Sequence, residues 1–309
     1  MTSPESTPLG VSPARRIGIL AAMPEELQTF LDAMPDEHQV ELANRTFWVG
    51  HWHGQVVIAA LSGIGKVAAA VTTSLLVNRF HASEVWFTGV AGGVGDEVRV
   101  GDVVVADELV QHDMDARPLF PRFEVPGKGV SVMRATSTLS DLAVASATEV
   151  LATVAHHGQA GAGVLSRADL DDLGIGLPVV HRGLIASGDQ FIGSAQASAA
   201  IRDALPATLA VEMEGAAVAQ VCHDYGVPFT IIRSISDRAD DAAHVDFQRF
   251  IGAVASPLSH AVVDAMLRRL QQAGRGSRRV PGASGAAVRE SSGLPCSEPV
   301  AKAQSQIRH

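Results

Sequence analysis

The sequence predicts an α/β protein organised around a layered sheet. Short apolar runs of strand length alternate with stretches of helical spacing along most of the chain. Polar, acidic or glycine-rich residues follow directly at the ends of several of those runs, where open α/β sheets bind ligands. Of the 309 residues, 47% are hydrophobic, enough to fill the core of one large domain.

The elements follow in order. Ile17 to Met23 is a short apolar strand, and Glu25 to Met34 has helical spacing. Thr46 to Gly50 and Gln55 to Leu61 read as strands of a hairpin turning near His53-Gly54. Lys66 to Phe80 is a helix, Glu84 to Thr88 a buried strand ending at Gly89, and Asp102 to Leu109 a further β-rich run. Leu139 to His156 is an amphipathic helix. His156 to His181 is glycine-rich and irregular and is expected to be a surface excursion. Gly183 to Ser187 is a strand, Ser194 to Ala204 a helix, and Glu214 to Tyr225 a helix stopped by Gly226. Phe229 to Ser234 is a strand, and Phe247 to Leu270 the closing helix.

Composition narrows the function. A net charge of −9 disfavours nucleic acid as a partner. No uninterrupted apolar run reaches the ~20 residues of a membrane span. Arg15-Arg16 precedes an apolar run too short for an export signal, ended by Pro24-Glu25-Glu26. Two cysteines, Cys222 and Cys296, make no disulfide framework, and a reducing cytoplasm is expected. Residues 1–15 are expected to be a flexible lead. Residues 274–309, rich in Gly, Ser, Pro and Ala, are expected to be a disordered tail. That tail carries six basic side chains (Arg275, Arg278, Arg279, Arg289, Lys302, Arg308) against Glu290 and Glu298, a local charge of 6 − 2 = +4.

Individual motifs are weak. Ser62-Gly-Ile-Gly-Lys66 lacks the spacing of a triphosphate-binding loop and reads as a tight strand-to-helix turn. Gly89-Val-Ala-Gly-Gly93 opens no clear helix, unlike a dinucleotide fingerprint. His51, His53, His156 and His157 lack companions at metal-ligand spacing, so no metal is expected. Asp237 is either a cap or a general acid at a strand end. Arg233, inside an apolar run, needs a buried carboxylate, and Glu26 is the candidate. Glu212 and Glu214 stand between Leu209-Ala-Val211 and Gly215-Ala-Ala-Val218, where an unpartnered charge would be costly.

Seven segments in order carry a family resemblance. They are Ile17 to Glu26, Ser62 to Val67, Phe87 to Gly93, Gly101-Asp-Val103, Ser187-Gly-Asp-Gln-Phe191, Val211-Glu-Met-Glu-Gly215 and Arg233 to Asp237. Together they resemble the 5′-methylthioadenosine/S-adenosylhomocysteine nucleosidases of the nucleoside phosphorylase superfamily, over roughly residues 16–270. The resemblance implies a three-layer α/β/α sandwich with a central mixed, twisted sheet, nucleoside phosphorylase-like, here spanning 16–273. It implies hydrolysis of the N-glycosidic bond of adenine nucleosides, without cofactor or metal.

Roles follow residue by residue. The resemblance makes Glu26 the base that activates water and Asp237 the acid that protonates adenine N7, oriented by Ser236. Glu214 holds the ribose hydroxyls and Met213 lines the sugar. Phe191 stacks on adenine, the backbone of Ile192 reads its edge, and Ala91 and Gly92 belong to the same binding segment. Ile64 and Phe247 are walls of the 5′ pocket. Val90 stands where many members have serine, beside the catalytic water, while Glu26 and Arg233 are retained. The family is homodimeric, with a 5′-pocket wall borrowed from the partner chain; Leu119, Phe120 and Pro126 lie in the matching segment. Two alternatives stay open: a futalosine-type nucleosidase with a different 5′ substituent, and a catalytically silent nucleoside-binding relative. Carboxylates at Glu25-Glu26, where a nucleophile must sit, favour water over a phosphate dianion.

Overall fold

The computed structural model describes residues 15–160, 165–239 and 247–277. The expected lead and nearly all of the expected tail lie outside the described residues. Strand β1 (Arg16–Ala21) pairs in parallel with β4 (Gln55–Leu61) on one side and β5 (Glu84–Gly93) on the other. Beyond β4 lie the antiparallel strands β3 (Arg45–Trp52) and β2 (His38–Leu42). Beyond β5 comes β12 (Phe229–Asp237), parallel to it. Next is β6 (Val103–Gln111), antiparallel to β12 but parallel to β10 (Val180–Ser187). Short β7 (Val132–Arg134) flanks β6. The order ends at β11 (Thr208–Glu212), parallel to β10.

The sheet does not stay open. Ala210 and Val211 of β11 pair antiparallel with Gly93 and Gly92 of β5. Five strands therefore close into a ring, β5-β12-β6-β10-β11. This brings the end of β11 beside the ends of β5 and β12.

The central strands are buried on both faces, so alternate residues enter opposite cores. Ile17, Ile19, Val103 and Val105 pack with helix α1 (Pro24–Asp32), α3 (Ser137–His157) and α8 (Ser256–Ser277). Leu20, Val104, Ala106 and Ile231 pack with α2 (Lys66–Asn78) and α6 (Gly215–Tyr225). Helix α5 (Ala195–Ala204) covers a third, smaller cluster around Val110, Ala186 and Ile192. The expected three layers are present. Ser137–His157 and Gln248–Arg275 are long and apolar enough by composition to cross a bilayer, but each supplies core side chains to the first cluster.

Three features differ from expectation. The stretch 156–181 is not merely a surface excursion. It forms β8 (Gln159–Ala160), β9 (Leu165–Ser166) and α4 (Arg167–Asp172), and buries Ala160, Leu165, Leu170 and Ile175 in the core. Its apolar residues are spaced widely among glycines, which hides their common face. Strand β11 lies in a segment that gave no clear strand signal. The closing helix is not uniform: α7 (Phe247–Phe250) leads through a π-helical turn, Ile251–Ala255, into α8, which runs past Ala273 to Ser277.

Candidate active site

The polar residues at the strand ends converge on one cavity of about 270 Å³. β1 and the start of α1 contribute Ala22 and Met23, and the β4–α2 turn contributes Ile64. β5 supplies Val90, Ala91 and Gly92, the segment after β10 supplies Gln190, Phe191 and Ile192, and β12 supplies Ser236 and Asp237. Val211, Glu212, Met213 and Glu214 complete the wall, brought there by the ring closure. The wall is mainly apolar with a few convergent carboxylates, as small-molecule sites commonly are.

The carboxylates have distinct surroundings. Asp237 accepts from the Ser236 hydroxyl at 2.7 Å and from the Ala239 N–H at 2.7 Å. Glu214 stands at the N-cap of α6 and accepts the Gly65 N–H at 2.9 Å. Burial, then the neighbouring Glu212 carboxylate, push the Glu214 carboxyl up to about 7. Gly65 itself takes φ +87°, a conformation open to glycine, and a Cβ there would press on Asp189.

Glu26 lies at the third position of α1 and is fully enclosed. One carboxylate oxygen accepts the N–H groups of Ala22 and Met23 at 3.2 and 3.1 Å. The other accepts the Ser259 hydroxyl at 2.6 Å. Burial raises its pKa, opposed by Ser259, Arg233 and the two backbone donors. Glu26 is not on the cavity wall. It stands behind Ala22 and Met23, which are.

Arg233 is also fully buried, but its partner is not Glu26 as expected. Its Nη2 donates to Glu212 at 2.5 Å. Glu212 also accepts from the Ser187 hydroxyl and from the N–H groups of Glu214 and Gly215. The guanidinium lies over the Phe87 ring, 3.9 Å from its centroid. Gly89 makes room: a Cβ there would meet Ala22 at 2.7 Å and Arg233 at 3.0 Å. Arg233 had two carboxylates within reach. Glu212 takes the ion pair, while Glu26 keeps a hydroxyl and two amides of its own.

Of the expected site residues, Ile64, Val90, Ala91, Gly92, Phe191, Ile192, Met213, Glu214, Ser236 and Asp237 share the cavity wall. Glu26 and Arg233 form a layer behind it. The Phe247 side chain lies outside the described residues. Leu119 and Pro126 are exposed, Phe120 is half-buried, and none of the three lines the cavity. Gln190 and Val211 stood inside the resemblance segments without an assigned role, and Ser259 escaped sequence reasoning altogether. Ser259 had one usable signal, a hydroxyl on the apolar stripe of the closing helix.

The rejected motifs have other occupations. Lys66 Nζ is held by Asp113 at 2.6 Å, which leaves no phosphate-loop lysine. His53 and Trp52 bind Asp264 at 2.6 and 3.1 Å and pin the β3–β4 hairpin to α8. Among the described residues, no three His, Cys, Asp or Glu side chains gather as metal ligands would.

Residues 16–268 match the family model of the phosphorylase superfamily. A 5′-methylthioadenosine/S-adenosylhomocysteine nucleosidase of Oceanobacillus iheyensis is 33% identical over 249 residues, covering 80% of this chain and 97% of the relative. The fold is similar to the crystal structure of the Neisseria meningitidis nucleosidase of that kind in complex with methylthio-immucillin-A. That structure has a TM-score of 0.70 and 32% identity, over 82% of this chain and 99% of that one. A futalosine hydrolase of Helicobacter pylori is comparably similar, with a TM-score of 0.68 and 32% identity over 83% and 98% of the two chains. The chain belongs to the phosphorylase superfamily and, within it, to the 5′-methylthioadenosine/S-adenosylhomocysteine nucleosidases.

Proposed function

We propose that the chain hydrolyses the N-glycosidic bond of 5′-thio-substituted adenosines, 5′-methylthioadenosine and S-adenosylhomocysteine, to adenine and the 5′-substituted ribose. The observation that carries this is the placement of Asp237 and Glu214 on one apolar cavity with Glu26 enclosed behind it. Asp237, oriented by Ser236, protonates N7 and turns adenine into a better leaving group. Phe191 stacks on the base and the Ile192 backbone reads its edge. Gly92 lets the β5 backbone approach closely, since a Cβ there would meet Asp237 and Ala239 at 2.9 Å, and Ala91 lines the cavity beside it.

Glu214 accepts from the ribose hydroxyls, with Met213 against the sugar. Glu26 takes the proton of the attacking water. An acid on the leaving group and a base on the water is the general logic of glycoside hydrolysis. Catalytic contacts of this kind tighten when substrate binds, which accommodates a base one layer behind the wall. Ile64 forms a wall of the 5′ end, with Phe247 the second wall that the resemblance implies.

We further propose a homodimer. Ile64, Val67 and Val71 are exposed at the start and along one face of α2, and Leu119 is 82% exposed. A second copy would cover that apolar surface and bring its Leu119–Pro126 segment towards the 5′ end. The enclosed free thiol of Cys222 supports a cytoplasmic location.

The Helicobacter likeness keeps one second reading open, a futalosine-type substrate. Incubation with 5′-methylthioadenosine and with futalosine, followed by chromatography of the released bases, decides between them. Adenine from the first is the expected result; hypoxanthine release from futalosine alone would overturn the adenosine assignment. In phosphate buffer, phosphorus NMR is expected to show no ribose-1-phosphate derivative. Phosphate would have to displace Glu212 from Arg233, the buried guanidinium nearest the cavity.

A further inference from the structure

We infer that Ser259 is a positioning residue for Glu26: its hydroxyl fixes the carboxylate in place and in its ionised form. The inference rests on the reading of Glu26 as the base. Ser259 lies on α8, some 230 residues from Glu26 in sequence, and is 4% exposed. Its flanking stripe, Ala255, Val262, Val263 and Met266, is apolar and buried. A buried hydroxyl in a helix ordinarily turns back to the carbonyl four residues earlier. Thr72 and Thr73 of α2 do so, to Ala68 and Ala69. Ser259 instead donates across the layer to Glu26 at 2.6 Å.

The register of α8 favours this placement. The π-helical turn sends the Ser256 N–H five residues back to the Ile251 carbonyl. One extra residue rotates everything downstream by about 100° relative to an unbroken α-helix. With that rotation Ser259 faces α1.

The other groups facing Glu26 cannot substitute for it. Ala22 and Met23 offer backbone donors to the opposite oxygen. Arg233 of β12 is the facing cation, but its Nη2 is committed to Glu212 of β11. Val90 of β5 packs against the same core cluster, and its side chain carries no donor. Glu25 is exposed, and His260 stacks on Trp52 with ring centroids 5.2 Å apart. Ser259 is thus the one neutral side-chain donor on the base among the described residues. A neutral donor favours the carboxylate without sequestering it in an ion pair.

The test is the pH dependence of kcat/KM on 5′-methylthioadenosine for the parent, Ser259→Ala, Ser259→Thr and Glu26→Gln. Without the hydroxyl, Glu26 ionises at higher pH. The acid limb of Ser259→Ala is expected to move up by about one pH unit, with a loss of about tenfold in kcat/KM below the limb. KM at high pH is expected to stay within about twofold, since Ser259 does not line the cavity. Ser259→Thr is expected to return the limb to its parental position. Glu26→Gln/Ser259→Ala is expected to be no slower than Glu26→Gln alone. An unmoved limb in Ser259→Ala, with Glu26→Gln inactive, overturns this inference while leaving the base assignment standing. Parental turnover by Glu26→Gln overturns both.

Discussion

Two buried carboxylates flank the floor of the cavity, and they are held in opposite ways. Glu212 is bound to a guanidinium, a hydroxyl and two amides. Glu26 has the same degree of enclosure but only neutral donors, with the nearest cation turned to Glu212. The ion pair holds Glu212 in one place and makes it a strut. Neutral donors and burial leave Glu26 with a raised pKa, closer to the range in which a base exchanges protons. The contrast teaches that a carboxylate's work is set by whether its partner carries charge.

Breaking each carboxylate separates the two kinds of work. Glu26→Gln keeps shape but cannot accept a proton, and turnover is expected to fall about a thousandfold, within the usual reach of general-base catalysis. Calorimetry with a substrate analogue is expected to show binding retained, and urea unfolding to show stability near the parent's. Glu212→Gln should do the reverse in its first effect. It strands the Arg233 guanidinium in a dry interior, with an expected loss of about 3 kcal/mol in urea unfolding. Replacing both, Glu212→Gln with Arg233→Met, is expected to recover much of that loss; no recovery would argue that the amides, not the ion pair, dominate.

Glu214 sharpens the comparison with a smaller effect. Its carboxyl titrates near pH 7 in the fold against an ordinary value of 4.5. Between those values the folded chain holds a proton that the unfolded chain has released. Stability therefore falls as pH rises from about 4.5 to about 7, and is level above that. Glu214→Gln should remove this slope, matching the parent at pH 4.5 and exceeding it by a few kcal/mol at pH 8, at the expense of ribose binding. Equal melting temperatures of parent and variant across that range would show that Glu214 is not held against its own charge.

Much of this arrangement is legible in the sequence, because strand ends in an α/β chain announce themselves. Met23 to Glu26, Gly89 to Gly93 and Ser236-Asp237 each follow an apolar run and all reach the same site. What stays hidden is pairing. Arg233 was expected to pair with Glu26 and pairs with Glu212 instead, since nothing in the order of residues shows which carboxylate the neighbouring strand carries to it. The closure of β11 onto β5 is likewise invisible: it joins residues more than a hundred positions apart through backbone groups every residue possesses. Ser259 is hidden for a third reason. A lone serine on an apolar stripe is identical, in sequence, whether it bonds its own helix or another.

The closure of the ring also bears on how this protein keeps to itself. A sheet normally ends in two open edges, each a row of unpaired amides and carbonyls on which another chain can build. Here β11, last in the strand order, is taken up by β5, so that edge is spent internally. Apart from the three-residue β7, the described sheet keeps one free margin, β2, and there His38, Gln39 and Glu41 are exposed. The pairing that brings Glu214 to the substrate cavity thus also removes a template for strand-by-strand aggregation, and leaves the other margin guarded by polar side chains.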